Sequence, residues 1–146
     1  MPKYAIDTNV YIDAFRSTDA AEELKQFLAA HLPAMYLSSI VMLELRSGAR
    51  TKEKVEALDK GLFAPFEKRQ RIFTPSANAF KESGRILALL AERDGVDLSR
   101  AKGSLVNDAM LAASCREQGV TLITRDADYL RLNKHLKGFR YVAPWP

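Results

Sequence analysis

The sequence predicts an α/β domain, a parallel β-sheet covered by helices on both faces. Three observations carry that expectation. Short apolar runs at 3–6, 35–37 and 120–124 alternate with longer stretches of helical period, the pattern of strand–helix–strand units. Helix-capping residues follow two of those runs at once: Asp7-Thr8-Asn9 after the first and Ser38-Ser39 after the second. With 146 residues, 47% of them hydrophobic, the chain is the size of one domain able to bury a core.

In order, the first strand stops at Asp7 and a helix takes up Val10 to Phe15. Leu24, Phe27 and Leu28 recur on one face of a helix over 19–31. A second strand at 35–37 leads into a helix over 40–47, which Gly48 helps to end. Residues 51–69 read as one charged amphipathic helix carried by Val55, Leu58, Leu62 and Phe66, with Pro65 disturbing its last turn. A weak strand at 71–74 follows. Pro75-Ser76 opens a long helix on Ala79, Phe80, Ile86, Leu87 and Leu90 that fades near Asp94-Gly95. A helix over 104–118 ends at Gly119, the strand at 120–124 is closed by Arg125-Asp126, a short helix covers 128–132, and an edge strand lies at 141–143.

Composition excludes several classes. There is no apolar run near the ~20 residues that cross a bilayer. The N-terminus reaches an acid too soon for a signal peptide. The single cysteine excludes an internal disulfide and a cysteine metal site. The expectation is a soluble, cytoplasmic protein with no membrane partner. The net charge is +4, unevenly spread: residues 1–45 hold 3 Lys/Arg against 6 Asp/Glu, and 46–71 hold 8 against 4. Such a surface can attract a polyanion, and it equally suits solvated helix faces.

The chemistry lies in four acids. Asp7 and Asp126 end strands, where the functional crevice of a parallel sheet opens beyond the carboxyl ends. Each also fits a helix cap. Glu44 interrupts the apolar run Ile40-Val41-Met42-Leu43-Glu44-Leu45, unless it occupies the outer stripe of a narrow amphipathic helix. Asp108 is the most informative. At helical spacing it shares a face with Leu105, Leu111, Ala112 and Cys115, with no obvious cation nearby: Lys102 and Arg116 are six and eight residues away. Carboxylates that converge repel, by about 4 kcal/mol for a pair ~4 Å apart at an effective dielectric of ~20. A divalent cation resolves this, and all-oxygen ligands suit Mg²⁺ or Mn²⁺.

Four stretches carrying these acids resemble the ordered motifs of the PIN-domain nucleases, above all the VapC ribonuclease toxins of VapBC toxin–antitoxin pairs. They are Tyr4-Ala5-Ile6-Asp7-Thr8-Asn9-Val10, Ser38-Ser39-Ile40-Val41-Met42-Leu43-Glu44-Leu45, Asn107-Asp108-Ala109, and Leu122-Ile123-Thr124-Arg125-Asp126-Ala127-Asp128-Tyr129. The resemblance covers nearly the whole chain. It implies a three-layer α/β/α sandwich with a parallel sheet of four or five strands. It implies Mg²⁺ or Mn²⁺ held by Asp7, Glu44, Asp108 and Asp126, with Asp128 an additional acid. Thr124 matches a Ser/Thr position that orients site groups, and Asn9 a polar position beside the first acid. The resemblance further implies endonucleolytic cleavage of RNA, dimers, and inhibition by a VapB-type antitoxin.

Two other functions compete: a non-catalytic RNA- or protein-binding module on the same fold, and a phosphohydrolase with Asp7 as nucleophile. The latter wants a second acid two residues on, where Asn9 stands. A housekeeping RNA-processing nuclease is the alternative within the nuclease reading. His31 and His135 suit surface or capping roles, Cys115 suits the core, and no glycine-rich phosphate loop is present. Arg46, Arg50, Lys52 and Lys54 fit either an RNA backbone contact or a solvated helix start, and Trp145 either a packed terminus or a dimer contact.

Overall fold

The computed structural model describes residues 2–100 and 103–146, so Lys102 lies outside the described residues. The elements run β1 (Tyr4–Ile6), α1 (Thr8–Arg16), α2 (Thr18–His31), a 3-10 turn (Leu32–Ala34), β2 (Met35–Ser38), α3 (Ser39–Gly48) and α4 (Lys52–Glu56). A π-helical stretch (Ala57–Phe63), α5 (Ala64–Lys68), β3 (Ile72–Phe73), α6 (Ala77–Arg93), α7 (Gly103–Gln118), β4 (Thr121–Ile123), α8 (Tyr129–Lys134) and β5 (Tyr141–Val142) follow. The five strands form one sheet, β3-β2-β1-β4-β5, parallel at every pairing and flanked by helices. Tyr4 pairs with both Met35 and Thr121, so the three central strands start level, and β2 runs one residue further than β1 and β4.

The strands are apolar because both faces are covered: Ala5, Ile6, Leu37, Leu122 and Ile123 are buried. The chain steps outward from β1 through β2 to β3, then returns to the other side of β1 for β4 and β5. The sheet order therefore reverses between β1 and β4, the place where open α/β sheets form their crevice. Helix α7 is buried on most of its circumference, through Leu105, Ala109, Leu111, Ala112, Ala113, Ser114 and Cys115. Cys115 sits in the core, as its spacing implied. Its last turn closes on Gly119 at φ +67°, with the Val120 N–H donating to Cys115 O at 2.8 Å. That is the left-handed cap for which glycine is suited. No helix among the described residues is long and apolar enough to cross a membrane.

Two helices differ from the sequence expectation. Residues 51–69 do not form one α-helix. Pro65 has no N–H for an i−4 bond, and the chain ahead of it widens into π turns, with the Ala64 N–H donating to Asp59 O. The wider turn resets the seam. Leu58 is followed by Phe63, five residues on, and then by Phe66 as the buried positions, while Val55 and Leu62 are only partly buried. On α6 the buried residues are Ala79, Ser83, Ile86 and Leu90, whereas Phe80 lies about 100° round the helix from Ala79 and is 54% exposed. The Ser83 hydroxyl is accommodated by donating to Ala79 O at 2.7 Å. β3 is shorter than its four expected residues, keeping only Ile72 and Phe73.

Candidate active site

The sheet delivers Asp7 directly. Its N–H completes the β1 ladder to Ile123 O at 2.9 Å, and its side chain caps α1 by accepting the Thr8 N–H at 2.8 Å. The cap reading and the site reading of Asp7 are thus both true. One strand over, Thr124 follows β4, and its N–H bonds Val142 O. The Thr124 hydroxyl is saturated. It donates to Asp7 Oδ2 at 2.8 Å and accepts the Asn9 amide at 3.2 Å and the Asp126 N–H at 3.0 Å. Asn9 also donates to Asp7 Oδ2 at 3.3 Å, and its Oδ1 accepts the Arg125 N–H at 3.2 Å. The two strand ends are therefore stitched together through Thr124 and Asn9.

The helical acids approach the same cleft. Ser38 caps α3, accepting the Ile40 N–H at 3.1 Å, and Glu44 follows on the second turn. Thr8 donates its hydroxyl to Glu44 Oε1 at 2.7 Å, and Asn107 donates to Oε2 at 3.5 Å, tying α3 to α1 and α7. Asp108, next to Asn107, accepts the Tyr129 hydroxyl on Oδ1 at 3.2 Å. The partners Thr8, Asn107 and Tyr129 were not marked as site residues by the sequence. Thr8 stood in the capping run Asp7-Thr8-Asn9 and Tyr129 at the end of the fourth motif, and only the hydroxyl of each, near a marked acid, hinted at more.

The acids feel one another. Burial pushes Asp108 up to about 7; the negative charge of Asp7 adds, the Tyr129 hydroxyl opposes, and Asp126 and Glu44 add further. Asp7, 4% exposed, is raised above the ordinary carboxylate range by burial first, against the Thr124 and Thr8 hydrogen bonds, with Glu44 adding. Among the described residues none of the four is ion-paired to a lysine or arginine. Arg125, the arginine nearest in sequence, pairs instead with Asp13 at 2.8 Å. Asp128 differs from the four: it is exposed, and what it brings is its N–H, donated to Asp126 Oδ1 at 2.8 Å.

The donor set fits a hard divalent cation, being oxygen throughout and carrying a surplus of negative charge. As placed, no three acidic, imidazole or thiol side chains among the described residues stand close enough to ligate one ion together. Uncompensated carboxylates repel one another, which opposes their closer approach in the absence of a cation. The other features resolve as structure. His31 stacks on Phe27 with ring centroids 4.2 Å apart, and His135 Nε2 lies 3.2 Å from Asp94. Trp145 packs the C-terminus, stacking on Phe27 at 4.8 Å and donating to Glu23 at 3.2 Å.

A parallel five-stranded sheet with acids gathered beyond β1 and β4 defines the class of protein, and residues 4–135 match the PIN domain model; the chain belongs to the PIN domain family. It is 31% identical over 150 residues to the plasmid stability protein StbB of Pseudomonas syringae pv. tomato, which covers 96% of each chain. Among solved structures it is similar to the DNA-bound VapBC of Salmonella typhimurium, with 25% identity, 98% of each chain covered and a TM-score of 0.68. It is also similar to a toxin–antitoxin complex from Klebsiella pneumoniae, with 26% identity, 98% of each chain covered and a TM-score of 0.62.

Proposed function

We propose that this PIN domain protein is a Mg²⁺- or Mn²⁺-dependent endoribonuclease, the VapC-type toxin of a toxin–antitoxin pair. The observation that carries the reading is the coupling of Asp108 to Asp7, Asp126 and Glu44 in one cleft, with none of the four ion-paired to a lysine or arginine among the described residues. The likeness to a plasmid stability protein and to toxin–antitoxin complexes supports the toxin role and a VapB-type antitoxin as partner. A homodimer, which the resemblance of the four motifs to the VapC toxins implies, belongs to the same proposal.

In this reading Asp7 and Asp108 are the principal ligands, with Glu44 and Asp126 at the margins of the site. An ion held by these carboxylates would supply Lewis-acid chemistry, polarising the RNA phosphodiester and lowering the pKa of water so that hydroxide is available near neutral pH. The chain's own residues prepare that chemistry. Thr124 and Asn9 fix the Asp7 carboxylate through Oδ2, and Oδ1, which accepts only the Thr8 N–H, keeps a lone pair free. Thr8 and Asn107 hold Glu44 by one bond to each oxygen. Single-stranded loops, whose backbone and bases are accessible, are the suited substrate.

The test is cleavage of structured RNAs by the purified protein with Mg²⁺ or Mn²⁺. Cutting that stops on addition of EDTA, and that is lost in Asp7→Asn and Asp108→Asn, is expected. Cutting that survives EDTA contradicts the mechanism. Growth arrest on expression, relieved by co-expression of a small neighbouring open reading frame, is expected of a toxin, and RNA cleavage without arrest favours a housekeeping nuclease.

A further inference from the structure

Tyr129 packs its ring against Phe139 and Tyr141, with centroids 5.8 and 6.1 Å away, and is fully buried at the start of α8. These contacts fix where the phenolic oxygen sits. A phenylalanine would fill the same space. The hydroxyl therefore needs a separate reason, because a buried polar group without a partner is destabilising. Its partner is an acid of the cleft, Asp108 Oδ1 at 3.2 Å, and Asp7 is near enough to be influenced by the same hydroxyl. Burial alone does not force such a pairing in this core. Tyr11 is also fully buried, and its hydroxyl has no partner among the described residues.

Asp108 has little else to orient it. Among the described residues its Oδ2 accepts no hydrogen bond, and no cation pairs with either oxygen. Asp7, by contrast, is held by Thr8, Asn9 and Thr124, and Glu44 by Thr8 and Asn107. The rotation of the Asp108 carboxylate thus rests on one phenolic O–H carried by α8.

From this juxtaposition we infer that Tyr129 is a positioning residue for the metal site: its hydroxyl clamps Asp108 Oδ1 and turns the unpartnered Oδ2 toward the cleft where the cation binds. The inference rests on the metal-dependent reading above. It makes Tyr129 part of the support behind the ligand, the kind of partner whose loss weakens metal binding or activity by about 10–100-fold. It also gives α8, otherwise a packing element, a role at the site through its first residue.

Tyr129→Phe keeps the ring and removes the hydroxyl, so it separates packing from positioning. Mn²⁺ affinity is read by calorimetric titration of the purified protein and of the variant, beside thermal unfolding of each in EDTA. The inference expects Mn²⁺ affinity to fall by about tenfold or more, and kcat on RNA to fall with KM for RNA unchanged. In an Asp108→Asn background the same substitution should change Mn²⁺ affinity less than about twofold, since the group it positions is gone. Equal Mn²⁺ affinity in Tyr129→Phe and the unsubstituted protein overturns the inference and leaves the metal site standing. So does a tenfold loss that persists in the Asp108→Asn background. No Mn²⁺ binding by the unsubstituted protein overturns the metal-site reading itself and this inference with it.

Discussion

The two ends of the sheet handle charge in opposite ways. At the amino ends of the strands, Lys3 and Arg71 lie against the Tyr36 ring, 5.6 and 4.9 Å from its centroid, and Arg71 donates to Pro33 O. Tyr4, Phe27 and His31 pack against one another, edge-on or stacked. Each charged group there is exposed or is met by a ring or carbonyl. At the carboxyl ends Asp7 is buried and Asp108 is partly buried; both are raised in pKa by burial first, Asp7 further by the charge of Glu44 and Asp108 further by those of Asp7, Asp126 and Glu44. The first end is built for stability. The second gathers carboxylates whose mutual repulsion either protonation or a bound cation would relieve, and that makes it the candidate site.

Removing that charge should therefore abolish function, while altering the other end should leave function alone. The largest effects belong to Asp7→Asn and Asp108→Asn, each expected to lower RNA cleavage by more than about 100-fold, above the 10–100-fold of residues supporting a ligand. Steady-state rates at saturating Mn²⁺ check it. Thr124→Val, which removes the hydroxyl joining Asp7, Asn9 and the Asp126 N–H, should lie within that 10–100-fold range, with the fold intact by circular dichroism.

Stability should report the same asymmetry. The carboxyl of Asp108 is raised from 3.8 to about 7. Folding thus favours its protonated form, and that contribution is full below pH ~4 and lost as pH rises through about 7. In EDTA the unfolding temperature should fall between pH 5 and 8 by on the order of 5 °C, and Asp108→Asn should flatten that slope. Mn²⁺ at ~100 times its Kd should restore about 2.7 kcal/mol at pH 8.

At the amino end the effects should be small and of different kind. Gln70, which ends α5 at φ +56°, occupies a left-handed position where a side chain is strained. Gln70→Gly should raise stability by roughly 0.5–1 kcal/mol. Arg71→Ala should lower it by about 0.5–1 kcal/mol. Urea unfolding measures both, and neither should alter Mn²⁺ affinity. A change there would break the comparison between the two ends.

The sequence made one end of the molecule easier to read than its connections. Strands buried on both faces are continuous apolar runs, so Ile6, Leu37 and Ile123 announced the sheet, and the acids closing them announced its carboxyl edge. Glu44 and Asp108 were conspicuous because each interrupts an apolar face. That α3 and α7 bring them toward Asp7 depends on helix packing across the sheet, which no local spacing encodes. The PIN resemblance filled that gap. The widened turn at Ala57–Phe63 was hidden because Val55, Leu58, Leu62 and Phe66 fit an ordinary helix, and one inserted residue changes the seam without changing composition. Tyr129 escaped for a similar reason: a buried aromatic reads as packing until its hydroxyl is seen on Asp108.

The central claim is that the four acids share a cation. A crystal grown with Mn²⁺ and measured at its absorption edge tests it most directly. The account predicts an anomalous peak about 2.1 Å from carboxylate oxygens of Asp7 and Asp108, with Glu44 and Asp126 turned inward from their present positions. A map with no peak in this cleft, under Mn²⁺ concentrations that support RNA cleavage, would contradict it.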